Sequence, residues 1–236
     1  MPICLVYGGA KNMSNFLSLS DFVDLSRIFQ KDKFSDLNAF HYLGKSLTNW
    51  LNKLLDEFGV SENPMILGEV SPHSFISGRV YVAEGATVEP TAFITGPCYI
   101  GPGAEIRHGA YIRGNVYIGK DAVVGHTTEV KGAVFFDAAK AAHFAYVGDS
   151  ILGRHVNLGA GTKLANLKLK SDEVSFRDPK TDTLTPSGLR KFGAILGDDA
   201  QTGCNSVLSP GTLVLPKTGV FPCVHFRGTL RTGFAK

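Results

Sequence analysis

The chain has 236 residues and a formal net charge of +3, with 44% hydrophobic and 19% charged residues. This composition indicates a folded globular protein. A nucleic-acid-binding protein is excluded because the positive charge is not concentrated, and a membrane-spanning protein is excluded because the sequence has no apolar run of about 18 residues. The four cysteines show no CxxC spacing and the N-terminus has no signal-peptide pattern. We therefore expect a cytoplasmic protein that binds neither nucleic acid nor membrane.

Residues 1–65 are predicted to be an α-helical capping segment. Apolar residues between Leu47 and Phe58 recur at helical spacing, and Gly59 follows as a stop, so this stretch predicts an amphipathic helix. A short helix is predicted around Phe22–Phe29 and a short strand over Met1–Gly9. We expect the segment to cover one open end of the repeat that follows, where unpaired strand edges would invite aggregation. The alternative for this segment is contact with a substrate or a partner.

The next stretch carries a repeat of six residues. The repeated aliphatic or aromatic positions are Val70, Ile76, Val82, Val88, Ile94, Ile100, Ile106, Ile112, Ile118, Val124, Val130 and Phe136. A smaller residue follows four positions after most of them, and turn-forming residues lie between. This period fits short β segments joined by regular turns, and neither a helix nor a long alternating strand. We predict an all-β fold, a parallel β-helix shaped as a triangular prism, in which both repeated positions face inward.

The register of the repeat breaks after Phe136. Residues 137–142 contain no aliphatic residue at the expected position, and the pattern returns at Val147, Leu152, Leu158 and Leu164. A break inside a solenoid is typical of a loop or bulge on the binding face, so we expect one at 137–142.

A second interruption, residues 167–191, is polar and rich in turn-forming residues. We predict that it is a loop protruding from the prism, with a possible hairpin formed by residues 174–176 and 183–185. The repeat then resumes at Leu196. The predicted β-helix domain is therefore 66–226 with this insertion, and residues 227–236 are predicted to leave the repeat as a tail.

Two basic residues are predicted to lie in one column of the prism. Arg113 and Lys131 are 18 residues apart, and each follows an inward-facing position, so their backbones are expected about 4.8 Å apart on neighbouring coils. Two cations about 5 Å apart repel by about 0.8 kcal/mol in water and about 3 kcal/mol at a surface-like dielectric. Either the side chains splay apart as two solvated charges, or they bind a small anion such as phosphate between them.

The stretch Ala142–Asn166 contains a specific motif. Its motif residues are His143, Tyr146, Gly148, Asp149, Asn157, Gly159, Ala160, Gly161, Thr162 and Asn166. This arrangement resembles the acetyltransferase domain of the bifunctional glucosamine-1-phosphate N-acetyltransferase/UDP-N-acetylglucosamine diphosphorylases. The archaeal sugar-1-phosphate nucleotidylyltransferase/acetyltransferase branch is closer still, because it shares the Ala-Asn-Leu run and a Gly-x-Arg-Lys-x-Gly-Ala pattern, here Gly188–Ala194. The likeness covers residues 66–223.

The resemblance implies a left-handed β-helix, acetyl-CoA as co-substrate and an amino-sugar phosphate, similar to glucosamine 1-phosphate, as acceptor in UDP-N-acetylglucosamine biosynthesis. It also implies that His143 is the general base toward the sugar amine and that the backbone N–H of Ala160 stabilises the oxyanion. The other implied contacts are Tyr146, Asn157 and Asn166 to the sugar, Arg113 and Lys131 to its phosphate, and Ala160, Cys204 and Pro222 to acetyl-CoA. Family members form homotrimers with sites in clefts between prisms, so a homotrimer is expected.

The sequence departs from the family pattern at several positions. Cys204 stands where the family has a serine near the leaving thiolate, and Pro222 replaces a small residue of the bacterial branch. The family's loop lysine has two possible counterparts, Lys168 and Lys170. Residues 1–65 are too few for the family's nucleotidyltransferase domain, so none is expected in this sequence.

Three alternatives to this function stay open at this point. The acceptor could be a nucleotide-linked amino sugar, or the prism could bind a partner without catalysis. His108 and His126 are also 18 residues apart in one column, which leaves a zinc hydro-lyase of the hexapeptide type as the third.

Overall fold

The computed structural model describes residues 17–170 and 172–236, so the strand predicted over Met1–Gly9 lies outside the described residues. The one α-helix found in these ranges is α1 (Gly44–Glu57), which confirms the predicted amphipathic helix. The region predicted as a short helix around Phe22–Phe29 forms 3-10 turns instead. The 3-10 turns are Leu19–Asp21, Leu25–Arg27, Lys31–Lys33 and Ala39–Tyr42.

The strands form nine successive coils, and most coils contain three strands. The first three coils are β1 (Met65–Ile66), β2 (Glu69–Val70) and β3 (Phe75–Ser77); β4 (Val80–Val82), β5 (Thr87–Val88) and β6 (Phe93–Thr95); and β7 (Cys98–Ile100), β8 (Glu105–Ile106) and β9 (Tyr111–Arg113). The next three are β10 (Val116–Ile118), β11 (Val123–His126) and β12 (Glu129–Lys131); β13 (Val134–Phe135), β14 (Lys140–His143) and β15 (Tyr146–Gly148); and β16 (Ile151–Leu152), β17 (Asn157–Leu158) and β18 (Lys163–Leu164). After the hairpin β19 (Ser175–Arg177) and β20 (Leu184–Pro186) come β21 (Ala194–Leu196), β22 (Gln201–Thr202) and β23 (Val207–Leu208); β24 (Thr212–Val214), β25 (Gly219–Val220) and β26 (His225–Phe226); and β27 (Thr229–Leu230) with β28 (Phe234–Ala235).

Equivalent strands of successive coils pair in parallel and form three flat sheets, here called faces one, two and three after the first, second and third strand of each coil. The fold is a left-handed parallel β-helix, as predicted. The prism interior is one continuous aliphatic core in which the six-residue positions, such as Ile94, Ile100 and Ile106, are completely buried. Each coil buries this core only against its neighbours, so stacking stabilises all of them together.

The register break lies earlier than predicted. Ile118 is in register with Phe135, so Phe135 faces inward, and Phe136 packs on the outside of face one. The expected loop at 137–142 is wrong, because Lys140–His143 forms the regular strand β14 with Ala141 facing inward. The step between the inward-facing residues Val130 and Phe135 is five residues instead of the usual six.

The insertion and the C-terminus also differ from expectation. The predicted hairpin is present as the antiparallel pair β19–β20, but Phe176 is buried against the N-terminal segment, with its ring 5.2 Å from that of Phe40, so the insertion does not protrude freely. Residues 227–236 do not leave the repeat. Thr229–Leu230 and Phe234–Ala235 pair in parallel with the coil below and add a ninth coil, although the sides are shorter than six residues.

The N-terminal segment packs along the outer side of face one and not over an end of the prism. Its apolar side chains form a second core with the outward-facing side chains of that face, among them Tyr81, Tyr99 and Tyr117. These rings stack with centroids 5.3 and 5.0 Å apart. Gln30 donates to the Tyr99 hydroxyl at 2.7 Å and accepts from the Tyr117 hydroxyl at 3.2 Å. The expectation that this segment caps an end of the prism is therefore wrong. The large aromatic side chains on the outer side of face one bury their apolar surface against the segment.

The described ranges contain no helix that is both long and apolar enough to cross a bilayer.

Phe34 provides a test of this second core. Its ring centroid lies 4.8–5.2 Å from those of four aromatic side chains: Tyr42, Trp50, Tyr117 and Phe136. Phe34→Ala should lower the free energy of unfolding by about 3–5 kcal/mol, because it leaves a cavity between the segment and face one. Phe29→Ala is the matched control, since that ring is 52% exposed, and should cost about 0.5 kcal/mol or less. Denaturant unfolding of both variants measures the difference, and equal small losses would contradict the packing described here.

Candidate active site

Four of the predicted site residues stand in one column at the corner between faces two and three. His143, Ala160, Cys204 and Pro222 occupy equivalent positions in the fifth to eighth coils, as the strand registers require. The turns of the column are joined by backbone hydrogen bonds: Gly161 N–H to His143 O (3.1 Å), Asn205 N–H to Ala160 O (2.8 Å) and Cys223 N–H to Cys204 O (2.8 Å). The insertion of residues 167–191 separates Ala160 from Cys204 in sequence but not in space.

His143 lies at the end of β14, in register with His126 on the coil below. A Cβ on Gly125 would come within 1.7 Å of the backbone oxygen of Ala142, so only glycine allows β14 to approach β11 this closely. The His143 side chain is exposed, with its ring 6.5 Å from that of Phe144. Among the described residues its imidazole has no hydrogen-bond partner, which leaves both ring nitrogens accessible to a ligand.

Ala160 follows β17 and is half-buried beside the column. Its backbone N–H donates no hydrogen bond to any residue that the structure describes, whereas Gly159 and Gly161 on either side are bonded to neighbouring coils. A Cβ on Gly159 would come within 2.6 Å of the backbone of Gly203 and Cys204. The motif had suggested that Gly159 allows a ligand to approach the backbone. The structure instead explains this glycine by the close contact between neighbouring coils.

Arg113 and Lys131 lie on face three in the predicted column, because Ile112 is in register with Val130. Their side chains separate. The Arg113 guanidinium donates to Glu129 at 2.7 Å, and Lys131 Nζ donates to both carboxylate oxygens of Asp149 at 3.2 Å. The repulsion considered above is therefore relieved by two separate carboxylates, and in this structure the two cations do not converge on a shared anion position.

Asp149 is the centre of a buried polar network. It is 5% exposed and accepts hydrogen bonds from Lys131 and from the amide of Asn166, whose oxygen in turn accepts from the Tyr146 hydroxyl at 3.4 Å. A Cβ on Gly148 would meet the Asn166 amide at 2.6 Å and the Tyr146 hydroxyl at 2.7 Å, so a side chain at this position would displace both groups. The structure thus brings Tyr146, Asn166 and Lys131 together.

Burial raises the pKa of the Tyr146 hydroxyl, and the carboxylates of Glu129 and Asp149 raise it further, against smaller opposing effects of Asn166 and Arg113. The hydroxyl therefore remains protonated near neutral pH and can donate a hydrogen bond. It borders a pocket of about 390 Å³ on face three that extends from Phe144, next to His143, to Asn166.

A second pocket, of about 550 Å³, lies on the other side of Lys131 and Asp149. The start of α1 and the end of the insertion form its remaining walls, and Lys45, Arg190 and Lys191 line it. Neither Lys168 nor Lys170, the two candidates for the family's loop lysine, is among its lining residues, and Lys168 instead donates to the backbone oxygen of Glu173.

Sequence reasoning missed Arg190 and Lys191 as site residues. The signal was present in the Gly188–Ala194 pattern, of which they are the basic pair. Lys45 carried no such signal, because nothing in the periodicity places α1 beside face three.

Asn157 is not brought into this group. It lies on face two, in register with Lys140 and Gln201, on the other side of the corner from Tyr146. The two side chains therefore belong to different faces of the prism.

The predicted His108–His126 column is present, with the two rings stacked at a centroid distance of 4.1 Å. Within residues 17–170 and 172–236, no three or more His, Cys, Asp or Glu side chains are grouped in a way that could hold a metal ion.

The triangular prism, its six-residue repeat and the motif at its corner define a left-handed β-helix protein of the hexapeptide-repeat class. Residues 94–225, more than half of the chain, match the model of the family described as the GMPPB C-terminal domain, and the chain belongs to that family.

Curated relatives agree with the resemblance seen in the sequence. The chain is 37% identical over 89 residues to a bifunctional sugar-1-phosphate nucleotidylyltransferase/acetyltransferase of Sulfurisphaera tokodaii, a match that covers 38% of this chain and 22% of the relative. It is 40% identical over 75 residues to the bifunctional protein GlmU of Methanococcus vannielii, covering 32% of this chain and 17% of the relative. The matched part thus spans about a fifth of the length of these relatives.

The similarity to solved structures is weaker. A UDP-N-acetylglucosamine acyltransferase from Francisella novicida gives a TM-score of 0.44 at 16% identity, covering 70% of this chain and 59% of that one. A perosamine N-acetyltransferase mutant from Caulobacter crescentus, in complex with CoA and GDP-perosamine, gives a TM-score of 0.23 at 15% identity. This match covers 75% of this chain and 57% of that one.

The two ion pairs of face three should differ in their contribution to stability. Asp149→Asn keeps the shape and the left-handed backbone at this position but replaces an acceptor of Lys131 and Asn166 with a donor, so it should lower the free energy of unfolding by about 1–3 kcal/mol. Glu129→Gln breaks the half-exposed pair with Arg113 and should cost about 0–1 kcal/mol. Urea unfolding compares the variants, and a larger loss for Glu129→Gln would refute the view that Asp149 is the centre of the network.

Proposed function

We propose that this protein is an acetyl-CoA-dependent N-acetyltransferase acting on an amino-sugar phosphate similar to glucosamine 1-phosphate. One observation carries the proposal: His143 stands in the corner column and is followed directly by Phe144, which lines the pocket of face three. The column supplies Ala160, Cys204 and Pro222 along the prism axis, and the pocket supplies Tyr146 and Asn166. In this proposal, the general base lies between the part of the column that takes the thioester and the pocket that takes the sugar.

In the proposed reaction, His143 accepts a proton from the sugar amine as its nitrogen attacks the thioester carbon. The free N–H of Ala160, one coil above, donates to the carbonyl oxygen as that oxygen gains negative charge. The carbon–sulfur bond then breaks, and the proton held by His143 neutralises the departing thiolate. Cys204 and Pro222 line the path of the coenzyme further along the same corner, and a cysteine at 204 offers the thiolate only a weak S–H donor where a serine would offer O–H.

The acceptor lies across face three, with its amine toward His143 and its phosphate toward Lys131. Lys131 is in register with Gly148, which is five residues after His143, so the backbones of His143 and Gly148 are at most about 18 Å apart, and Lys131 lies one coil spacing from Gly148. Tyr146 and Asn166 lie between them and hydrogen-bond sugar hydroxyls. Arg113 contacts the phosphate only after it releases Glu129.

We further propose that the working unit is a homotrimer. Asn157 and Tyr146 lie on different faces, so a ligand that contacts both must lie in a cleft where the corner of one prism meets a second copy. Face three also exposes an aromatic column, Phe75, Phe93 and Tyr111, each 40–51% exposed, that a neighbouring prism can bury.

His143→Ala should lower kcat by about 10²–10⁴-fold, because that is the usual contribution of general-base catalysis. The assay follows thiol release from acetyl-CoA with a panel of amino-sugar phosphates and nucleotide-linked amino sugars.

His73→Ala, an exposed histidine of the first coil, is the matched control and should retain wild-type activity. A folded His143→Ala variant that turns over within about threefold of wild type would exclude His143 as the base. If only nucleotide-linked amino sugars are acetylated, the proposed acceptor is wrong, whereas the proposed acetyl-transfer reaction stands.

Sedimentation equilibrium should give the mass of three chains for the active protein. Tyr111→Lys, which places a charge in the exposed aromatic column, should shift the protein toward monomers and lower activity without lowering the helix and strand content measured by circular dichroism. A fully active monomer would rule out the shared cleft.

A further inference from the structure

We propose that the N-terminal segment completes a phosphoryl-binding pocket, in which Lys45 and Arg190 bind the phosphate end of the acceptor together with Lys131. This inference rests on the proposed function, since it assigns the phosphate end of the same acceptor. It gives residues 17–60 a part in acceptor recognition in addition to their packing against face one.

The pocket is built from three parts of the chain that are distant in sequence. The start of α1 contributes Lys45, face three contributes Lys131, and the end of the insertion contributes Arg190 and Lys191. All four cationic side chains border the same space of about 550 Å³. Convergence from separate elements distinguishes this group from a run of solvated lysines on a single helix.

The charge of the pocket is unbalanced. Asp149 is its single acidic lining residue in the described part of the chain, and it is already paired with Lys131. Lys45, Arg190 and Lys191 have no carboxylate within ion-pair distance among the described residues. A phosphoryl group carries a charge of about −1.5 to −2 at neutral pH, so it can relieve the mutual repulsion of these cations. A guanidinium such as that of Arg190 can also form two parallel hydrogen bonds to phosphoryl oxygens.

A neutral group in the wall also has free hydrogen-bonding capacity. Asn115 lines the pocket, and its Oδ1 is buried without a hydrogen-bond partner among the described residues. Buried polar atoms are normally paired, so this oxygen retains an unused capacity to accept a hydrogen bond.

The walls are held in place by packing. Gly44, at the start of α1, lies against Leu189 of the insertion, since a Cβ there would be 3.4 Å from Leu189 Cδ2. Leu47 is fully buried under the first turn of the helix. Trp50 donates from its indole N–H to the backbone oxygen of Lys33, which ties α1 to the rest of the segment. Lys45 is therefore presented from a fixed helix, and α1 lies outside the residues that the family model matches.

The test is a calorimetric titration of the full-length protein with inorganic phosphate and, separately, pyrophosphate, at constant ionic strength. The double variant Lys45→Ala/Arg190→Ala should weaken binding of at least one probe by about tenfold or more, as expected for the loss of charge-assisted hydrogen bonds. Lys53→Ala, an exposed lysine further along α1, is the matched control and should bind like wild type. Preferential loss of phosphate affinity indicates a sugar monophosphate, whereas preferential loss of pyrophosphate affinity indicates a diphosphate-linked acceptor.

Kinetics separates this inference from the proposed function. The double variant should raise KM for a phosphorylated amino sugar by about tenfold, leaving KM for acetyl-CoA and the melting temperature near wild type. If the double variant binds both probes and the acceptor like wild type, and His143→Ala still abolishes activity, the proposed phosphoryl-binding pocket is wrong and the proposed transferase function stands. If the double variant loses probe binding but the wild type acetylates no acceptor of the panel, the phosphoryl-binding pocket is supported and the proposed transferase function is wrong.

Discussion

The fold and the site both depend on the backbone hydrogen bonds between successive coils. Because strands of neighbouring coils pair in parallel and in register, residues 17 or 18 apart lie next to each other on one face. The coils are so close that some positions admit only glycine, as at Gly125 below Ala142. Side chains far apart in sequence thus form straight columns, and the corner column with His143 is one of them.

The N-terminal segment changes what the prism can present to a ligand. By burying the stacked tyrosines of face one, it removes that face from solvent and leaves faces two and three, with the corner between them, accessible. The same segment brings α1 next to the insertion, so packing on one face shapes a pocket at the edge of another. The segment that covers face one thus also forms part of a pocket wall.

The charges of Arg113 and Lys131 on face three are arranged as two separate ion pairs. Lys131 is held by the buried Asp149, and Arg113 by the more exposed Glu129. An exposed ion pair contributes little stability, so Arg113 is released at small cost, whereas Lys131 is kept in place by a network that includes Asn166. Lys131 is accordingly the fixed point of the site, and Arg113 the adjustable one.

The sequence by itself determined the prism, most of its inward aliphatic positions, helix α1 and the column that contains Arg113 and Lys131, because each follows from a local periodic pattern. It also placed the hairpin of the insertion near its observed position. Only the tertiary structure decided that Phe135 faces inward, that the N-terminal segment covers a side, and that Lys45 borders the same pocket as Arg190. These features depend on which non-repeating surfaces fit together, and packing between distant segments leaves no fixed spacing in the sequence.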